Sequence, residues 1–189
     1  MATSQSEDLG RVKNLLENSY KKPEAQKREI NGFFRDDSLS GQRAQVYHNP
    51  DTGKTYVTHR GTSSIQDVGT DIKLLFGNKT GERFKYAKDI QKKAEEKYGK
   101  ENITTAGHSL GGTIAERMGK KSANVVTFNK PVVPSDIFKK IPKTQLDVKT
   151  RNDPVSILRR FQKGRRQKVI GETNVDPITA HKLISFNKL

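Results

Sequence analysis

Apolar residues spaced three or four positions apart mark three stretches of the chain as amphipathic. The first predicts a helix from Asp8 to Lys21, with Asp8 as its N-cap. The second covers residues 65–77, and the third predicts a helix over residues 84–98 that is closed by Gly99. Residues 1–7 lack this spacing, and we expect them to form a flexible tail.

Short runs of β-prone residues predict strands at residues 44–48, 54–59, 124–128, 145–150 and 168–170. The first two are joined by Asn-Pro-Asp-Thr-Gly, a strong turn sequence that indicates an antiparallel hairpin. The later strands alternate with helical segments, which is typical of a parallel sheet. We therefore predict one compact α/β domain over residues 8–189, in which helices flank a mostly parallel sheet that begins with a hairpin.

The stretch from Asn102 to Met118 passes from β-prone to helix-prone residues around a G-x-S-x-G pattern. This pattern consists of Gly107, Ser109 and Gly111. A strand, a sharp turn and a helix in this order expose a serine hydroxyl, and the glycines remove side chains that would collide in the turn. The amide of Leu110, at the start of the helix, then points toward a substrate oxygen. The alternative is a glycine-rich turn whose serine has no chemical role.

A nucleophilic serine needs a base, and one histidine follows Ser109 in the chain, namely His181. His108 is the neighbour of the serine, and we expect it to point away from the partner of the serine. His59 falls in a predicted strand, and His48 lies beside a turn. The sequence therefore favours His181 as the base.

Four aspartates after the serine are candidates for the acid that orients this base: Asp136, Asp147, Asp153 and Asp176. Asp153 is favoured because it comes directly after a strand, where α/β sheets place functional residues. Asp147 lies within an alternating strand and is expected at the surface. Asp176 precedes a proline and is expected to be a helix N-cap.

The bulk composition changes the expected partners. The formal net charge is +15, which predicts attraction to polyanions such as anionic membranes, nucleic acid or acidic proteins. The chain has no cysteine, and its four histidines show no ligand spacing, so we expect neither a metal nor another cofactor. The first residues do not resemble a signal peptide, and no apolar run is long enough for a membrane span. We expect an intracellular or virion-associated protein.

Much of the charge is concentrated in one run of ten residues with six cations and no acid. Its cations are Arg159, Arg160, Lys163, Arg165, Arg166 and Lys168. Such a run is often a solvated surface, and it also fits a nuclear localisation signal. Because it lies between Asp153 and His181, we expect it near the mouth of the site, where it would contact anionic lipid.

The motifs together resemble those of class 3 lipases, the α/β-hydrolase family that includes fungal triacylglycerol lipases and plant phospholipases A1. The resemblance rests on Gly-His-Ser-Leu-Gly-Gly at 107–112, His-Arg-Gly-Thr at 59–62 and Asn-Asp-Pro-Val at 152–155. Tyr47 and Phe-Asn-Lys-Pro at 128–131 also fit. The family's chain order of serine, aspartate and histidine matches Ser109, Asp153 and His181. The resemblance also implies an oxyanion hole formed by the amides of Thr62 and Leu110.

The resemblance further implies a lid over the site, at residues 63–76. Its apolar side would consist of Ile65, Val68, Ile72, Leu75 and Phe76. The alternative is an ordinary helix packed on the core. The family's usual His-x-Gly-Phe block is absent around residues 80–84, which affects the expected substrate preference more than the reaction.

These observations predict a serine hydrolase that cleaves carboxylic ester bonds of lipids through an acyl-enzyme. The charge favours a phospholipid at an anionic membrane surface over a neutral triglyceride. The alternative is a weak or inactive hydrolase-fold module that binds an anionic membrane or nucleic acid, although nucleic acid is not favoured. Headgroup, acyl length and oligomeric state do not follow from the sequence.

Overall fold

The structure is a computed structural model that describes residues 2–62, 81–132, 138, 140–153, 166–170 and 176–186. Within these ranges the helices are α1 (Ala2–Tyr20), α2 (Gly81–Tyr98), α3 (Leu110–Met118) and α4 (Pro177–His181). The strands are β1 (Glu29–Ile30), β2 (Phe33–Arg35), β3 (Ala44–His48), β4 (Thr55–His59), β5 (Ile103–His108), β6 (Asn124–Phe128), β7 (Gln145–Thr150) and β8 (Arg166–Ile170). Short 3₁₀ turns at 23–25, 100–102, 119–121 and 183–186 complete the described elements.

The strands of the described ranges form one sheet whose spatial order is the chain order, from β1 to β8. The strands β1 to β4 pair antiparallel, and the strands β4 to β8 pair parallel. The predicted hairpin and mostly parallel sheet are therefore confirmed. Because parallel strands all point the same way, the ends of β4, β5, β6 and β7 lie along one edge of the sheet.

The hairpin of β1 and β2 was not predicted from the sequence. It turns at Asn31 and Gly32, whose φ angles are +52° and +77°. Two successive residues with positive φ match the right-handed twist of the flanking strands. The strands contain only two and three residues, so alternation of polar and apolar positions had little length in which to appear.

Helices cover both faces of the sheet, and each face has its own apolar cluster. The cluster beneath α1 consists of Leu9, Val12, Leu15, Leu16, Phe33, Tyr47, Tyr56, Ala106, Val126, Phe128, Val148, Leu183 and Phe186. The cluster beneath α2 consists of Leu39, Ala44, Val46, Val57, Ile90, Ala94 and Ile103. Adjacent strand residues such as Val46 and Tyr47 belong to opposite clusters, because successive side chains of a strand point to opposite faces.

The helix α1 begins at Ala2, so most of the predicted tail is helical. The prediction that Asp8 caps this helix is wrong, because Asp8 lies inside it. Its carboxylate instead accepts a short hydrogen bond from the Tyr56 hydroxyl. At the other predicted helix, closure by Gly99 is confirmed: its φ is +79°, and its N–H donates to the carbonyl of Glu95 at 3.0 Å.

The prediction that Asp147 lies at the surface is also wrong. This residue of β7 is fully buried and accepts hydrogen bonds from Thr127 Oγ1 at 2.6 Å and Gln145 Nε2 at 2.8 Å. Nearby, the buried Lys130 forms an ion pair with Glu116, which joins α3 to the segment after β6. Alternation of polar and apolar residues therefore does not separate core from surface in a sheet covered on both faces.

Candidate active site

Ser109 lies at the turn between β5 and α3, at the edge where the parallel strands end. Its φ is +54° and its ψ is −129°, a conformation that non-glycine residues rarely adopt. Its amide donates to the carbonyl of Phe128 at 2.9 Å, and its carbonyl accepts from Gly112 at 2.8 Å. The strained turn is therefore held on both sides by backbone hydrogen bonds.

The two glycines of the motif allow β5, the turn and α3 to pack this closely. A Cβ atom at Gly107 would overlap the backbone carbonyl of Gly111. A Cβ atom at Gly111 would in turn overlap the carbonyl of His59 at the end of β4. A side chain at Gly107 would push β5 and α3 apart, and a side chain at Gly111 would push α3 away from the end of β4.

Ser109, His181 and Asp153 are brought together in one hydrogen-bonded series. The distance from Ser109 Oγ to His181 Nε2 is 2.9 Å, and that from His181 Nδ1 to Asp153 Oδ1 is 2.6 Å. All three residues are buried, at 0%, 2% and 4% exposure. A carboxylate oxygen only accepts, so Nδ1 carries the proton and the neutral ring presents Nε2 as the acceptor for the serine hydroxyl. This arrangement can remove a proton from the serine.

The backbone of His181 is held by side chains that sequence reasoning missed. Asn129 Nδ2 donates to the carbonyls of Ala180 at 2.9 Å and His181 at 3.2 Å. Thr150 Oγ1 donates to the Ala180 carbonyl at 2.5 Å. Asn129 has a φ of +44°, so its conformation as well as its position after β6 marks it as special. The end of α4 is thereby tied to the ends of β6 and β7.

Asp176 starts the helix that carries the histidine. Its carboxylate accepts from the amide of Thr179 at 3.0 Å, so its predicted role as an N-cap is confirmed. Asp153 is therefore the acid that contacts His181, and Asp176 fixes the first turn of α4. Asp136 lies outside the described residues.

The expectation that His108 points away from the partner of the serine is wrong. Its ring centroid lies 5.0 Å from that of His181, and its Nε2 lies 2.7 Å from the His181 carbonyl. Burial, reinforced by electrostatic repulsion from His181 when that ring is protonated, lowers the pKa of His108 to about 3. The hydrogen bond to the His181 backbone and the charge of Asp153 oppose this shift without reversing it. His108 is thus a neutral, buried contact of the base.

The segment after β4 passes beside the serine. A Cβ atom at Gly61 would lie 3.3 Å from Ser109 Cβ and 2.5 Å from the carbonyl of His108. Thr62 follows directly and is partly buried, while Leu110 is the first residue of α3 and is buried. Of the two predicted oxyanion residues, Thr62 therefore follows a residue that lies against Ser109, and Leu110 follows Ser109 itself.

Other predicted site residues lie outside the described part of the chain. They are the lid residues Ile65, Val68, Ile72, Leu75 and Phe76, and Arg159, Arg160, Lys163 and Arg165 of the basic run. Arg166 and Lys168 belong to β8, which is paired with β7, so the end of the basic run is a strand. Among the described ranges, no three His, Cys, Asp or Glu side chains are grouped to hold a metal, and no helix is long and apolar enough to cross a membrane.

The sheet topology and the strained serine between β5 and α3 define the fold as that of an α/β-hydrolase. A family model for phospholipase-like proteins, described as a Tle-like phospholipase domain, matches residues 17–157. The chain belongs to this family, whose name denotes hydrolysis of lipid esters. A search of curated protein sequences finds no match.

Solved lipase structures share this fold at low sequence identity. Lip2 lipase from Yarrowia lipolytica is 16% identical, with a TM-score of 0.58 over 95% of this chain and 84% of that chain. Lipase II from Rhizopus niveus is 16% identical, with a TM-score of 0.61 over 91% and 83%. The Rhizomucor miehei lipase in its propeptide complex is 18% identical, with a TM-score of 0.54 over 80% and 62%. The resemblance to lipases inferred from the motifs is confirmed for family and fold.

Proposed function

We propose that the protein hydrolyses carboxylic ester bonds of lipids, with Ser109 as nucleophile, His181 as general base and Asp153 as the acid that orients the base. The observation that carries this proposal is the buried series of hydrogen bonds, 2.9 Å and 2.6 Å long, that joins the three side chains. A serine with an adjacent base and a third orienting group is the arrangement that nucleophilic ester hydrolysis needs.

In this mechanism His181 Nε2 takes the hydroxyl proton while Ser109 Oγ attacks the acyl carbonyl carbon. The amides of Thr62 and Leu110 donate hydrogen bonds to the oxygen that becomes negative. His181 then gives its proton to the leaving alcohol oxygen, which leaves the acyl group on the serine. The same histidine deprotonates a water molecule, whose oxygen attacks the acyl carbon. His181 then returns this proton to Ser109 Oγ as the bond to the acyl group breaks and the fatty acid leaves. Asp153 stabilises the imidazolium formed in both halves of the reaction.

We propose a phospholipid, cleaved in the manner of a phospholipase A1, as the substrate. Two observations favour it over a neutral triglyceride: the family is described as phospholipase-like, and the net charge is +15. Each Lys or Arg near an anionic surface contributes about 1 kcal/mol of attraction. The six cations from Arg159 to Lys168 are the proposed contact with that surface.

Labelling with a fluorophosphonate tests the chemistry directly, because the reagent reacts with an activated serine and not with a basic surface. We expect the wild type to be labelled and to hydrolyse p-nitrophenyl butyrate. Ser109→Ala should be unlabelled and should turn over on the order of 10⁶ more slowly while keeping its circular dichroism spectrum. A folded Ser109→Ala variant with a tenth of the wild-type activity would exclude the mechanism.

A second experiment separates surface attraction from chemistry. In the quadruple variant, Arg159, Arg160, Arg165 and Arg166 are replaced by Gln. We expect up to about 4 kcal/mol weaker binding to anionic phospholipid vesicles, roughly a thousandfold, and less in high salt. Hydrolysis of the soluble ester should not change. Loss of both vesicle binding and ester hydrolysis would indicate a structural role for the run. Loss of neither would indicate another polyanionic partner such as nucleic acid.

A further inference from the structure

Tyr20, the last residue of α1, lies between two parts of the proposed site. Its hydroxyl oxygen is 2.8 Å from the amide nitrogen of Gly61 and 3.1 Å from Nδ1 of His108. His108 Nε2 is in turn 2.7 Å from the carbonyl oxygen of His181. These contacts connect the segment that carries Thr62 with the backbone of the base, on a path that does not pass through Ser109.

The chemistry of the end groups fixes the direction of every hydrogen bond in this path. The His181 carbonyl only accepts, so His108 Nε2 carries a proton. A neutral imidazole then has Nδ1 as an acceptor, so the Tyr20 hydroxyl donates to it. The Gly61 amide only donates, so it gives its proton to the Tyr20 oxygen. Each donor in this path then has an acceptor, and only the neutral Nε2–H form of His108 satisfies all of them.

We infer that Tyr20 and His108 are positioning residues that set the distance between the oxyanion hole and the catalytic base. This inference rests on the proposed serine hydrolase function. Thr62 is the residue after Gly61, and the Nε2 atom of His181 lies 2.9 Å from Ser109 Oγ. One rigid path that holds the Thr62 segment and the His181 backbone fixes the oxyanion hole relative to the base. This matters most in the transition state, when the oxyanion hole and the base act on the same substrate.

The surroundings of Tyr20 support a rigid path. Burial raises the pKa of its hydroxyl to about 12, while the Gly61 amide and the charges of Arg60 and Arg83 oppose the shift. The Arg60 guanidinium lies 5.2 Å from the centre of the Tyr20 ring, and Arg83 donates to the Arg60 carbonyl at 2.6 Å. The Tyr20 and His108 rings meet edge to face at 5.8 Å. The ring is therefore fixed by contacts that do not depend on its hydroxyl.

This packing makes Tyr20→Phe a specific test, because the change removes the hydroxyl and keeps the ring. The matched control is Tyr47→Phe, which removes another buried hydroxyl. The Tyr47 hydroxyl accepts a 2.8 Å hydrogen bond from Asn18, which lies in α1 like Tyr20. We expect Tyr20→Phe to lower kcat on p-nitrophenyl butyrate about tenfold with KM within twofold, and to slow fluorophosphonate labelling similarly. Tyr47→Phe should leave kcat, KM and labelling within twofold of the wild type.

A double-mutant cycle tests whether the two residues act through one path. His108→Gln keeps a donor of similar reach for the His181 carbonyl and removes the Nδ1 atom that accepts from Tyr20. In that background we expect Tyr20→Phe to lower kcat by less than twofold, since its partner is already lost. A tenfold loss of kcat on adding Tyr20→Phe both to the wild type and to His108→Gln would overturn the inference. A tenfold loss of kcat in Tyr47→Phe would also overturn it.

Histidine nitrogen NMR at pH 7 gives a readout that needs no activity. We expect the signal that disappears in His108→Gln to show a neutral ring protonated at Nε2. A cationic ring or a proton on Nδ1 would overturn the path even if Tyr20→Phe lowers kcat. If the wild type shows neither ester turnover nor labelling, the proposed function fails and the positioning role fails with it. The NMR result then still decides whether the hydrogen-bonded path exists.

Discussion

The clearest test of the acid assignment is Asp153→Asn. The change keeps the size of the side chain but removes the charge opposite His181 Nδ1, 2.6 Å away. The backbone of His181 is held separately, by Asn129 at 3.2 Å and His108 at 2.7 Å, so the ring should stay in place. The loss then comes from the tautomer and from the unstabilised imidazolium, which together cost about 10⁴ in kcat in other enzymes with this arrangement.

The chain offers a matched control in Asp176→Asn. It makes the same chemical change at the N-cap of the helix that carries His181, where the carboxylate accepts from the amide of Thr179. We expect kcat within about threefold of the wild type and a loss of stability of about 1 kcal/mol or less, since Asn is also a good N-cap. The assay is hydrolysis of p-nitrophenyl butyrate, with urea unfolding as the check on folding. An Asp153→Asn variant with more than a tenth of the activity, or an equal loss in Asp176→Asn, would refute the assignment.

Three further predictions concern stability. Burial lowers the pKa of His59 to about 4 and that of His108 to about 3, below the ordinary 6.5, so between pH 6.5 and 5 these two rings take up protons in the unfolded chain and not in the folded protein. Stability measured by urea unfolding should therefore fall by up to about 2.7 kcal/mol per pH unit between pH 6.5 and 5, and a flat profile would contradict this. Gly61→Ala places a Cβ 2.5 Å from the His108 carbonyl and should lower the free energy of unfolding by about 1–3 kcal/mol. It should also remove most ester turnover, and unchanged turnover would show that the segment can move away. Lys130→Met should cost about 3–5 kcal/mol in urea unfolding by leaving Glu116 without its cation, and adding Glu116→Leu should restore most of it.

The sheet and the central residues of the site could be predicted because their signals are local. The hairpin at residues 44–59 and the turn around Ser109 depend on a few adjacent residues whose backbone requirements are specific. The choice of Asp153 over the other acids needed only its position after a strand end. The structure brings that residue to His181, and its catalytic role stays a prediction.

The errors arise where the deciding contact is distant in sequence. Asp147 follows a surface-like alternation, yet its partner Thr127 lies on the neighbouring strand, 20 residues away. Asp8 has the chemistry of an N-cap, but it lies inside a longer helix. There its carboxylate accepts a hydrogen bond from Tyr56, 48 residues later. The contact of Tyr20 with His108 spans 88 residues. No local pattern records such pairs.

The agreement between strand order in the sheet and order along the chain has a consequence for synthesis. Among the described strands, each new one adds at one free edge of the sheet, and none is inserted between strands that are already paired. Ser109, the proposed nucleophile, emerges from the ribosome 72 residues before His181, its proposed base. In the proposed mechanism, a nascent chain can therefore assemble most of its sheet before the proposed site is complete. Ribosome-bound chains that end before residue 176 should resist fluorophosphonate labelling, and labelled chains of that length would show that another base serves Ser109.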